Sequence, residues 1–375
     1  MKKPIFAFIP LMLSGFLFPD VQNKLNKTPG MIHTEQNDGP YVLYKNDSVF
    51  VKYIMDNHGT KQIRSDSMDI SQKESLTIMV ATDEAGKTFP VQLKKKLQVE
   101  KSEYKKVSKQ MAISDIEGNF KPFRMLLQAN GVIDSNFNWA FGEGHLVLIG
   151  DFFDRGSQVT EVLWLIYSLE EKAKAAGGYV HFILGNHEIM NMSGDLRYVQ
   201  SKYKENALLL GEKYVDLYGE NSELGRWLRT KNIIEKVGNI LYLHGGISAD
   251  INRMDITISG INELSRPFYP DSSYRYENKK LDTIFGDNGP FWYRGYYKGN
   301  PKATPEQIDS TILKFNIRHI ATGHTMVADT ISAWYHDKVF NTDVHHAAGK
   351  SEALLIEGDN YYRVNTSGEK FRINK

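Results

Sequence analysis

The run Leu146-Val147-Leu148-Ile149 stops at Gly150, and the next five positions hold Asp151, Asp154 and Arg155. Four successive apolar residues read as a strand covered on both faces, because a strand with one wet face alternates. Two carboxylates and a guanidinium at the mouth of such a strand are costly unless they hold a metal or an anion. The rest of the chain is therefore read as what is brought up to that point.

From Gln110 onward, apolar strands alternate with helical patterns, the signature of a layered α/β domain. Met111-Ala112-Ile113 ends in Ser114, Asp115, Ile116, Glu117 and Gly118. The organising strand is followed by Val159, Val162, Leu163, Ile166 and Leu169 at helical spacing, with Gly177 as a stop. Residues 179–184 end in Gly185, Asn186, His187 and Glu188; residues 240–243 end in His244; residues 319–321 end in Thr322, Gly323 and His324. Ligands of open α/β sheets lie beyond the carboxyl ends of the strands, so these side chains can converge at one edge. Upstream, strand-like runs at 41–44, 48–54, 76–80 and 88–93 are separated by turn-formers. They suggest a small antiparallel β module over 38–105, without a chemical constellation, that serves packing or placement.

The chain has no cysteine, which excludes a disulfide framework, a thiolate metal site and a cysteine nucleophile together. What remains at the strand ends is Asp115, Asp151, Asn186, His244 and His324, a set of oxygen and imidazole donors suited to Mn, Fe, Zn or Mg. Two such ions about 4 Å apart, sharing Asp151, would clamp an in-line displacement and acidify a water. Arg155 offers a fork for phosphate oxygens. His187 is placed to protonate a leaving group, with Asp154 to orient it. A net charge of +1 gives no argument for nucleic acid. Lys2 and Lys3 before an uncharged apolar run from Pro4 to Pro19 read as an export signal, or as an anchor if uncleaved, with the tether, over 1–27.

Taken in order, Ser114–Gly118, Gly150–Gly156, Gly185–Glu188, His244–Gly246 and Gly323-His324 resemble the motifs of the calcineurin-like metallophosphoesterases. The Asp-Arg-Gly ending and Asn-His-Glu resemble the PPP phosphoprotein phosphatase branch. Met190–Val199 and Gly289–Tyr296 are similar to the bacterial Shewanella-like phosphatases. The resemblance spans roughly residues 110 to 345, and five ordered motifs are far more specific than any one. It implies an α/β fold, a β-sandwich flanked by helices over 108–375, behind the small β-rich module. It implies hydrolysis of phosphomonoesters, either phosphorylated Tyr, Ser or Thr or small phosphate esters. By the same resemblance Asp115 and Asp151 hold the first ion, Asp151, Asn186, His244 and His324 the second, with manganese favoured. His187 is then the general acid supported by Asp154, and Arg155 and Arg294 grip the phosphate.

Two positions depart from the pattern. Glu117 stands where the family has histidine; it reads either as a harder ligand of the first ion or as an acidic start to the next helix. Met326 replaces a histidine that the PPP branch also lacks. Two rivals follow: a phosphodiesterase or nucleotide pyrophosphohydrolase, and a non-catalytic binding protein on the same fold. Asp195 and Arg197 read as a rim pair, His145, His181 and His319 as core or rim residues, and His336, His345 and His346 as loop histidines.

Overall fold

The strand ends singled out in the sequence come from two different sheets. The computed structural model describes residues 38–57 and 59–373. One six-stranded sheet has the order β17 (Lys370–Arg372), β16 (Asn360–Asn365), β15 (Glu352–Glu357), β7 (Lys109–Ile113), β8 (His145–Ile149), β9 (Tyr179–Ile183). The other has the order β13 (Ser332–Trp334), β14 (Val339–Asn341), β12 (His319–Thr322), β11 (Ile240–Leu243), β10 (Ile234–Val237), β6 (Glu103–Tyr104). β7, β8 and β9 run parallel, as do β11, β12 and β14. The parallel pattern expected from the sequence thus holds within each sheet, and two sheets share it.

The sheets face each other as a sandwich. Ala112, Val147, Ile149 and Ile183 of one meet Tyr242, Ala321 and Phe340 of the other in a common core. Leu146 and Leu148 point the opposite way, into the core beneath the helices. The organising run is apolar at every position because alternate residues serve two separate cores.

The helix Val159–Ala175 is buried along most of its length. β9 lies against it, and so do β1 (Asp38–Lys45), β4 (Thr77–Ala81) and β5 (Thr88–Gln92). The Trp164 indole donates to the Pro40 carbonyl at 2.8 Å, and the Thr160 hydroxyl to Asp38 at 3.1 Å. The β-rich residues 38–92 therefore give this helix a second apolar wall, and the described residues belong to one compact unit. β2 (Ser48–Asn57) pairs with a strand that the sequence pattern does not announce, β3 (Thr60–Asp69). Its residues are mostly polar and exposed, and besides its partner strand it is held by Lys61, which reaches Glu205 at 2.9 Å, and by Met68 against the core. The export-like segment 1–27 lies outside the described residues. Among those described, no helix is long and apolar enough to cross a membrane.

Glu170 ties the two parts together. Its buried carboxylate takes ion pairs from Lys94, just after β5, and from Lys231 at 2.7 Å, with the Trp227 indole donating at 3.0 Å. Glu170→Ala would leave two buried ammonium groups facing each other. The expected cost is about 3–5 kcal/mol, read as a lower midpoint in urea unfolding.

Candidate metal centre and active site

Close approach of the strand ends depends on glycine at two points. Gly150 follows β8 at φ +80°, where a Cβ would sit 2.6 Å from the Gly185 backbone and 2.7 Å from the His244 ring. At Gly323, past β12, a Cβ would lie 2.3 Å from the Asp115 carboxylate. Asp115, Glu117, Asp151, Asp154, Arg155 and His324 all take positive φ as well. Such strained backbone gathers at functional sites, where surrounding bonds over-determine it. Glu188 supplies three of those bonds, accepting from the N–H groups of Asp151 at 2.9 Å, Phe152 at 2.7 Å and Gly185 at 2.6 Å. The sequence reading gave Glu188 no task. Its place one turn into the helix Asn186–Ser193, reaching back to the residue before it, was the available signal.

Asp151, His244 and His324 each present a ligand atom, all within 4.8 Å of one another and all buried. His244 Nε2 lies 2.9 Å from Asp151 Oδ2 and 3.1 Å from Asn186 Oδ1. Its Nδ1 is 2.7 Å from the Ile149 carbonyl, to which it donates. The Nε2 lone pair therefore faces two oxygens, a geometry that a proton or a cation must bridge. Asp115 accepts the His324 N–H at 3.1 Å, which fixes its carboxylate beside that ring. His324 Nε2 is 3.1 Å from the Trp292 carbonyl, so Nδ1 is left to turn toward Asp151.

The charges respond to this crowding. Burial would keep His244 neutral, but the Asp151 carboxylate outweighs it and lifts the ring to about 10. Burial likewise raises Asp151, and His244 with His187 overcomes it and holds the carboxyl below the usual range. Asp115 is lifted to about 6 by burial, with His244 opposing and Asp151 adding to it. The donor set and its negative charge fit a divalent cation. Beside it His187 Nδ1 meets Asp154 at 2.6 Å, and Nε2 faces Asp151 at 3.8 Å. Burial disfavours a charged His187, yet Asp151 and Asp154 raise it above its ordinary value.

Residues 109–328 match the family of calcineurin-like phosphoesterases, which is more than half of the chain. The chain belongs to that family. A crystal structure of the cold-active protein-tyrosine phosphatase of a psychrophilic Shewanella species superposes with a TM-score of 0.81 at 36% identity. It covers 91% of this chain and all of that one. Shewanella-like protein phosphatase 2 of Arabidopsis thaliana is 26% identical over 321 residues, 72% of this chain and 81% of the relative. A symmetrical bis(5'-nucleosyl)-tetraphosphatase of Buchnera aphidicola is 29% identical over 185 residues, 58% of its length. This calcineurin-like phosphoesterase is accordingly a metal-binding phosphoester hydrolase with phosphatase relatives.

In the phosphoesterase, the remaining sequence candidates take other partners. Glu117 forms an ion pair with Arg155 and, like Asp115, stands outside the cluster of ligand atoms. The Arg155 guanidinium also lies 5.2 Å from the Tyr198 ring, which is itself 5.2 Å from the His187 ring. Arg294 donates to the His324 carbonyl and, at 3.3 Å, to the Thr325 hydroxyl. Asp195 and Arg197 do pair at the rim. His145 and His181 are buried and bonded to each other at 2.8 Å. His346, read as a loop histidine, opens the short turn His346–Ala348 and is buried, 3.1 Å from the Ser114 carbonyl.

Proposed function

We propose that this phosphoesterase holds two divalent ions, manganese preferred, and hydrolyses phosphomonoesters, with phosphotyrosyl side chains as the favoured class. The reading rests above all on the Asp151, His244 and His324 ligand atoms gathering within 4.8 Å, with the His187–Asp154 pair beside them. When bound, the ions would supply an acidified water and neutralise the phosphoryl oxygens. Asp115 and Asp151 would hold the first, and Asp151, Asn186, His244 and His324 the second. His187 donates its Nδ1 proton to Asp154, which leaves Nε2 to deliver a proton to the departing oxygen. Arg155 exchanges Glu117 for a phosphate oxygen, and Arg294 turns from the His324 carbonyl to a second one. The exposed Tyr198 ring between Arg155 and His187 offers a flat face to an aromatic leaving group. The tyrosine phosphatase among its relatives points the same way.

The bis(5'-nucleosyl)-tetraphosphatase likeness favours a second reading, cleavage of a phosphoanhydride. Manganese-supplemented assays on p-nitrophenyl phosphate, its bis-ester and diadenosine tetraphosphate separate the two. The monoester is expected to turn over fastest, and a phosphotyrosyl peptide faster than its phosphoseryl equivalent. Preference for the bis-ester or the dinucleotide would overturn the assignment. The basic and then apolar N-terminus supports export, to the periplasm or beyond, which fractionation of the expressing cell tests.

A further inference from the structure

β3 is the outer edge of the sheet β1–β2–β3. All ten of its residues pair with β2 without a bulge, from Ser48–Asp69 to Asn57–Thr60. One step beyond, the Ile70 N–H donates to the Asp47 carbonyl at 2.8 Å. Hydrogen-bonded pairs alternate along an antiparallel ladder. The even-numbered residues of β3 therefore bond β2, and the odd-numbered ones, from Lys61 to Asp69, turn their N–H and C=O groups outward. Among the described residues nothing bonds those groups. A long, unbroken edge of this kind is a template for another strand unless its side chains forbid the pairing.

The side chains of β3 favour its own sequence as the partner. A second copy adds antiparallel only with outward groups facing outward groups, which sets odd residues opposite odd and even opposite even. Centred on Arg64, such a two-fold register brings two guanidinium groups face to face; centred on Asp66, two carboxylates. Like charges directly opposite are destabilising. Centred on Ser65, the register sets Arg64 opposite Asp66 twice and Lys61 opposite Asp69 twice, with Ile63 opposite Ser67. Arg64 and Asp66 already meet at 3.3 Å along one strand and both reach solvent. Two copies therefore close these residues into a ring of four alternating charges. We infer that β3 is a self-association surface, where two copies of the chain join antiparallel about Ser65 and fuse their three-stranded sheets into one. The contact is isologous, so it closes at a dimer. A lone strand-to-strand contact is small and belongs to the weak, concentration-dependent class.

Sedimentation equilibrium of the full chain over a concentration series tests this, with thermal melts to check that each variant is folded. The wild-type mass should climb from 42.8 kDa toward twice that value. Arg64→Asp puts carboxylates face to face and should weaken the dimer at least about tenfold. Adding Asp66→Arg restores opposite charges in reversed order, and association should return. Ser65→Pro removes one outward N–H, which an edge strand tolerates, and should give a folded monomer. The chain has no cysteine, so Ser65→Cys reports the register. Hydrogen-bonded partners have Cα atoms about 5.5 Å apart, within reach of a disulfide. A mild oxidant should therefore link two copies through Ser65→Cys, whereas Gln62→Cys, opposite Met68, stays unlinked. A wild type that is monomeric at every concentration overturns the proposal, and that includes the case in which residues 1–37 cover β3. A dimer that neither Arg64→Asp nor Ser65→Pro weakens overturns it too, as does Gln62→Cys linking as readily as Ser65→Cys.

Discussion

Asp151→Asn is expected to lose phosphomonoester hydrolysis by roughly 10³-fold or more, the several kcal/mol that metal assistance supplies, while staying folded. The shape of the side chain is kept. Oδ1 still accepts the His187 N–H, which it meets at 2.9 Å. The new amide takes the place of Oδ2, 2.9 Å from His244 Nε2, and can donate to that lone pair. The metal-free site is thus satisfied by a neutral bond where the wild type has a buried ion pair. Two things are lost: the charge, and the carboxylate proposed to serve both ions. Thermal melts read the difference directly. A ligand that binds only the folded state stabilises it by RT ln(1 + [L]/Kd), so manganese at 100 times Kd should stabilise the wild type by about 2.7 kcal/mol. The variant's melting temperature should not respond to manganese, and should match the metal-free wild type or exceed it. A manganese-dependent rise like that of the wild type would refute the bridging role.

Much of this site was legible because parallel strands put their chemistry at their carboxyl ends. The apolar runs before Asp115, Asp151, Asn186, His244 and His324 located five such ends. What the pattern could not supply was which strands share a sheet. Hydrophobic periodicity reports that a face is covered and is silent on what covers it. The pattern alone therefore did not show the split into two sheets, which came only from the family resemblance and its β-sandwich, nor that the packing module of residues 38–92 walls the helix Val159–Ala175. Glu188 escaped for a different reason: it acts on backbone N–H groups, and only its position in the first turn of its helix hints at them. The partners of Glu117, Arg155 and Arg294 escaped because an ion pair depends on side-chain reach rather than on spacing.

His187→Gln separates proton delivery from metal binding, and its effect depends on the leaving group. Nδ1 is bound to Asp154 at 2.6 Å, so the ring is fixed with Nε2 toward the site. Burial works against a charged ring, but the Asp151 and Asp154 carboxylates raise His187 above its ordinary value and favour its acid form. Glutamine can still donate a hydrogen bond but has no proton to give up. General acid catalysis is typically worth 10²- to 10⁴-fold, and most where the departing oxygen is basic. A phosphoseryl or phosphotyrosyl peptide releases an alkoxide or a phenoxide of high basicity, so kcat there should fall by about 10²–10⁴. p-Nitrophenolate leaves without help, and its loss should be much smaller. Asp154→Asn should show the same pattern in weaker form, because it disturbs the orientation of the ring and leaves its proton in place. Manganese uptake should stay at the wild-type level in both, since neither side chain is assigned to an ion. If the two classes of substrate slow by the same factor, His187 does not protonate the leaving group, and its bond to Asp154 is structural.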